Sequence, residues 1–133
     1  MPFIRITITQ ISEQPTHSLN EELQWFGASL GLFNLRDKDK SRFRIFIALL
    51  KGLKQKKGLS SDELAFALAL SRATVIHHLN SLMEAGIVSN MRGKYVLNVS
   101  TMEELVELTQ RNLNKAFDDL KGIARDIDKK MEL

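Results

Sequence analysis

The residues best suited to chemistry lie between Ser71 and Asn80. At about 100° per residue, Arg72, Ala73, Ile76, His77 and Asn80 fall on one side of a helix, with Thr74 at its flank. That face offers a guanidinium, an imidazole, a carboxamide and a hydroxyl. These groups can meet donors and acceptors on base edges, while the small Ala73 permits close approach. Ser71 precedes the helix as an N-cap, so its hydroxyl and the free N–H groups of the first turn can meet a phosphate. Further along, Arg92 and Lys94 flank Gly93, a pattern that places cations at a turn tip within reach of a backbone or a minor groove. An ordinary solvated turn would also bear such charges. Lys51, Lys54, Lys56 and Lys57 cluster near a helix C-terminus, where the dipole favours cations in any protein.

Other chemistries are poorly supported. The chain has no cysteine, which excludes disulfides, thiolate nucleophiles and cysteine metal sites. There is no glycine-rich phosphate loop and no conspicuous Ser/His/Asp arrangement, so an enzyme is not expected. His77 and His78 are adjacent and point about 100° apart on a helix, which suits two separate roles better than one shared metal. His77 is expected to face nucleic acid, and His78 to be a partly buried, hydrogen-bonded packing residue. His17 falls in a loop and has no evident partner. No metal or cofactor is implied, and the sequence does not identify an effector: a ligand, temperature or nothing at all could control the dimer.

These groups need elements to hold them. Residues 3–9 alternate apolar β-branched and polar residues, the period of a half-buried strand. A loop follows over 10–18, with Pro15 inside it. Ser18 and Glu21 have capping-box spacing before a helix with Leu19, Leu23, Phe26 and Leu30 on one side and Gly31 as its stop. A charged stretch, Arg36 to Ser41, leads into a second helix whose apolar stripe is Phe43, Phe46, Ile47, Leu50 and Leu53, ended by Gly58. Ser60 and Glu63 repeat the capping-box spacing for a short helix to about Leu68. After the turn Ala69-Leu70-Ser71, a helix runs from Arg72 to Ala85, closed by Gly86, with Val75, Leu79, Leu82 and Met83 facing inward. Two strands, 87–89 and 95–99, enclose a turn over Asn90 to Lys94. Thr101 begins a long helix to about Met131.

Two short helices across a tight turn, followed by a hairpin, make a winged helix-turn-helix. The expected architecture is mainly α, with a small β-hairpin wing, an N-terminal strand and a long C-terminal dimerisation helix. Residues 1–35 would support the core or dimer, 36–99 would form the DNA-binding domain, and 100–133 the dimerisation helix. Charge follows this division. Residues 36–94 hold 12 Lys+Arg against 5 Asp+Glu, a balance of +7, while each flank is at −2. A basic centre between mildly acidic flanks suits a polyanion. The 133 residues are 44% hydrophobic, ordinary for a globular protein. No apolar run approaches a membrane span and no secretory leader is evident, so a cytoplasmic home is expected.

Residues 71–88, Ser-Arg-Ala-Thr-Val-Ile-His-His-Leu-Asn-Ser-Leu-Met-Glu-Ala-Gly-Ile-Val, resemble the recognition helix of ArsR-type winged-helix regulators. The run Leu-Ser-Ser-Asp-Glu-Leu-Ala at 59–65 resembles the helix preceding it in that family. The resemblance covers about residues 43–99. It implies a homodimeric, sequence-specific DNA-binding regulator, most often a repressor, with helix 72–85 in the major groove and wing 89–95 on the backbone or minor groove. Ile76 stands where the family usually has a serine, so an apolar contact with a thymine methyl is expected there. Without cysteines, the resemblance lends nothing to thiolate metal sensing. The competing reading is a winged-helix adaptor for protein or RNA, which would present acidic or apolar residues on the outer face.

From Met102 onward apolar or small residues recur every three or four positions. Val106, Leu113, Phe117, Leu120, Ile123 and Ile127 are the expected dimer contacts, packing along a second copy. Thr109 and Ala116 make the seam uneven, and Gly122 weakens the helix by about 1 kcal/mol against alanine. An interface shared with the helix at 19–30 is therefore favoured over a long independent coiled coil. Folding back onto the same chain is the alternative. Trp25, Phe26 and Phe33 belong either to that interface or to the core.

Overall fold

The computed structural model describes residues 18–31 and 40–133. The expected strand at 3–9, the loop residues up to His17, Phe33 and the charged residues 36–39 lie outside the described residues. The chain divides into two units, 1–100 and 101–133. The first contains α1 (Leu19–Ser29), α2 (Ser41–Lys54), α3 (Ser61–Leu68), α4 (Arg72–Glu84), β1 (Val88–Met91) and β2 (Lys94–Leu97). The second is a single helix, α5 (Met102–Lys130).

Local hydrogen bonds set most helix starts. The hydroxyls of Ser18, Ser60, Ser71 and Thr101 accept the backbone N–H three residues on, at 3.0–3.1 Å. At α3 the box is complete, because Glu63 Oε1 also accepts from Ser60 N at 3.3 Å. Such reciprocal bonds satisfy donors that a helix start otherwise leaves open. Helix α4 ends as anticipated, with Ala85 as C-cap and Gly86 at φ +76°. That left-handed geometry suits glycine.

Helix α2 is the scaffold against which α3, α4 and β2 pack. Its buried residues include Phe43, Ile45, Phe46 and Leu49. The stripe therefore lies partly off the one read from spacing, since Leu50 and Leu53 are only half-buried. Partners cover α2 on more than one side, so no single stripe describes it. Leu64 of α3, Val75, Leu79 and Leu82 of α4, and Ile87, Val88, Tyr95 and Leu97 of the wing complete the core.

Two boundaries differ from expectation. Helix α2 stops at Lys54, where Gln55 is the C-cap and Lys56 turns left-handed at φ 56°, ahead of Gly58. Gly58 has a different reason to be glycine: a Cβ there would lie 2.9 Å from Lys94 Cβ and 3.0 Å from Val96 Cγ1. The wing turn is also tighter than the five residues anticipated. Antiparallel pairing of Val88 with Leu97 continues to Met91 with Lys94, leaving only Arg92 and Gly93 between the strands. Both have positive φ, 57° and 84°, as a type I′ hairpin requires.

A further link was not anticipated. Leu59, just before α3, bridges Tyr95 through bonds of 3.1 Å and 2.7 Å. The middle strand of the wing is thus held on both edges. At the wing's root, Asn98 Nδ2 donates to Gly86 O at 2.9 Å and Asn98 N donates to Ile87 O at 2.8 Å.

Candidate nucleic-acid interface

Helix α4 buries Val75, Leu79 and Leu82 and leaves Arg72, Ala73, His77 and Asn80 exposed. Ile76 and Thr74 are half-buried, at the border between the two faces. Ser71 is exposed at the N-cap, and its hydroxyl donates to Thr74 Oγ1 at 2.8 Å while accepting from Thr74 N at 3.1 Å. The helix start is thereby rigidly capped. Its donors and the outward side chains face the same solvent.

The orientation of α4 is fixed from α2. The Arg42 guanidinium donates through Nε to His78 Nδ1 and through Nη2 to Ser81 Oγ, both at 3.2 Å. His78 is therefore the half-buried, hydrogen-bonded member of the histidine pair, and His77 the exposed one. Their rings lie 5.3 Å apart at 59°. Because Nδ1 of His78 accepts, that nitrogen has no proton in this arrangement. Sequence alone offered no signal for Arg42, whose partners lie on another helix.

A second arginine steadies the turn. Arg44 of α2 donates through Nη2 to Leu68 O at the end of α3. The chain then bends through Ala69 at φ 55° into Ser71. The two helices of the motif are thus each held from α2 by an arginine.

The wing brings Lys94 next to α3. Lys94 Nζ hydrogen-bonds Glu63 Oε1, and Lys57 Nζ lies 4.0 Å from Glu63 Oε2. The Lys94 bond, followed by the Ser60 backbone N–H, lowers the Glu63 carboxyl from 4.5 to about 2. Arg92 is exposed at the wing tip. Arg72 makes an ion pair with Asp62, Nε to Oδ1 at 3.5 Å. Spacing marks Glu63 as the capping partner of Ser60, but nothing local signals the pairing of Glu63 with Lys94 or of Asp62 with Arg72; both carboxylates belong to the first turn of α3. Among the described residues, no three metal-ligating side chains gather, and no helix is long and apolar enough to cross a membrane.

Helix α5 leaves apolar residues uncovered. Val106, Phe117, Leu120, Ile123 and Ile127 are exposed, Leu120 by 63% and Ile123 by 61%, and Leu113 is half-buried.

The comparisons bear on the first unit. No curated protein and no solved structure gives a significant match. Residues 39–90, which span α2, α3, α4 and the first strand of the wing, match the family described as bacterial regulatory protein, arsR family, and over that segment the chain has the helix-turn-helix of a DNA-binding transcriptional regulator.

Proposed function

We propose that the protein is a sequence-specific repressor that binds duplex DNA as a homodimer. Helix α4 enters the major groove, where Arg72, Ile76, His77 and Asn80 contact base edges and Thr74 flanks them. Ser71 and the α4 N-terminus receive a phosphate, and Arg92 and Lys94 of the wing reach the adjacent backbone or minor groove. The observation that supports this most directly is the clean division of α4. Its inner face is buried against α2 and α3, and the outward face bears a cation, an imidazole and a carboxamide.

The apolar face of α5 supports the dimer. A row of exposed leucine, isoleucine and phenylalanine costs free energy in water, at roughly 25 cal/mol for each Å² left uncovered. Val106, Leu113, Phe117, Leu120, Ile123 and Ile127 would pack against a second copy. A two-fold pair would present recognition helices to half-sites about 34–36 Å apart. Occupying an inverted repeat within a promoter would block transcription, which is why we assign repression.

The test is selection of bound sequences from a random DNA pool at two salt concentrations, with an Arg72→Ala/His77→Ala double variant alongside. Enrichment of an inverted repeat that the double variant fails to select is the expected result. Weak binding without enrichment, lost at moderate salt, would overturn it in favour of an adaptor for protein or RNA. A promoter containing the selected repeat should then lose transcription in vitro when the protein is added; a rise would overturn repression alone.

A further inference from the structure

Arg72 is not a free side chain at the start of α4. Its Nε lies 3.5 Å from Asp62 Oδ1, across the turn between the two helices of the motif. Both side chains are largely exposed, 71% and 78%. In water such a pair contributes little. On a DNA surface its role changes, because water is excluded and the direction in which the guanidinium points begins to matter.

The geometry of arginine makes the point of attachment informative. The guanidinium is a flat fork with five N–H donors. Held by a carboxylate at Nε, it keeps the two terminal amino groups available as a parallel pair of donors. That pair matches O6 and N7 of guanine in the major groove, the commonest specific contact made by arginine. No other base offers two acceptors at this spacing there; adenine places a donor beside its N7.

We infer that Asp62 is a specificity-determining positioning residue: by holding Arg72 at Nε it aims the terminal amino groups at a guanine in each half-site. The inference rests on the reading of α4 as the recognition helix. Asp62 also puts a negative charge close to the DNA backbone, so it opposes general affinity while sharpening base choice. Nothing else in the described structure bonds Asp62: the α3 capping box uses Ser60 and Glu63. Replacing Asp62 should therefore spare the fold.

Two effects of opposite sign follow for Asp62→Asn. Affinity for DNA of arbitrary sequence should rise roughly two- to fivefold at low salt, as one backbone-facing charge is removed. Preference for guanine over adenine at the position read by Arg72 should fall, from the roughly 5- to 150-fold of a good bidentate contact towards a few-fold. Asp62→Glu, which keeps the charge, should restore part of the preference. A merely structural role would not move these two readouts apart.

The experiment takes the repeat selected by the parent protein and locates the position whose preference disappears in Arg72→Ala. Parent, Asp62→Asn and Asp62→Glu are then titrated against that repeat, against its G-to-A variant, and against a repeat with 7-deazaguanine at the same position. The expected result is a guanine there, a marked loss with 7-deazaguanine for the parent, and a much smaller one for Asp62→Asn. If Arg72→Ala erases preference for a base other than guanine, or if Asp62→Asn keeps the full guanine preference, the inference falls while the regulatory reading stands. If the parent selects no sequence at all, both fall together.

Discussion

Gly52 lies near the end of α2 and links that helix to the wing, although it touches no nucleic acid in the proposed complex. Its carbonyl accepts from Lys57 N at 2.8 Å, closing the turn that follows the helix. A Cβ on Gly52 would lie 2.6 Å from Lys57 O. Contacts under 3.0 Å are essentially never made by real Cβ atoms, so in Gly52→Ala the Lys57 carbonyl must retreat by about 0.4 Å or more. The obstacle is backbone and cannot rotate away, which argues for the upper half of the ~1–3 kcal/mol range for overpacking. Alanine returns up to ~1 kcal/mol of helix propensity, leaving a net loss of about 1–2 kcal/mol. For a chain of this size that is a fall in Tm of about 4–8 °C. The displaced segment continues into Leu59, whose bonds to Tyr95 brace the wing. Thermal unfolding followed by circular dichroism measures the first effect, and hydrogen exchange at the Leu59 and Tyr95 amides the second. An unchanged or raised Tm, with both amides as protected as in the parent, would refute the reasoning.

Three further outcomes are expected. Arg42→Ala removes two part-buried hydrogen bonds from α4, so urea unfolding should show a loss of about 2 kcal/mol, and discrimination between DNA sites should drop although Arg42 contacts no base. Leu120→Asp with Ile123→Asp should shift the protein from dimer to monomer in sedimentation equilibrium and weaken binding to an inverted repeat far more than to a single half-site. Glu63 has its carboxyl lowered from 4.5 to about 2 by Lys94 and Ser60, so the stability it contributes is fully present above pH 4.5 and disappears as pH falls towards 2. Glu63→Gln should therefore flatten the acid limb of a Tm-versus-pH curve in that window, and an unaltered limb would remove this assignment.

How much of this was legible in the sequence follows from the reach of each interaction. The serine caps at 18, 60 and 71 and the threonine cap at 101 were readable because donor and acceptor lie within one helical turn. The inner face of α4 was readable because its spacing is helical and one-sided. The α2 stripe was misplaced because α2 is covered by α3, α4 and β2 at once, which blurs a single periodic signal. Gly58 and Gly52 owe their identity to neighbours that approach from later in the chain, so spacing marks the first only as a helix stop and gives no sign of the second. The sequence predicts a longer wing turn because Asn90 is a typical turn residue. In the structure it sits in β1 and caps the turn from there, its Oδ1 accepting from Gly93 N at 2.8 Å. Arg42, Asp62 and Glu63 act across helices or onto the wing, and no local pattern announces such pairs.

The hairpin tip and the strand behind it are under opposite constraints. At the tip there is open space, but Gly93 is tied to glycine by its φ of 84°, whereas Arg92 projects into solvent with a left-handed backbone that glycine or asparagine would adopt at lower cost. Along β2, Gly58 leaves no spare volume, since a Cβ there would crowd Lys94 and Val96. Divergence among descendants of this chain should therefore gather at position 92, where an exchange alters reach and charge while Gly93, held at φ 84°, and the domain behind it stay as they are. The wing tip is thus an adjustable terminal on a fixed mount, in which position 92 can change reach and charge without any change in the strands behind it.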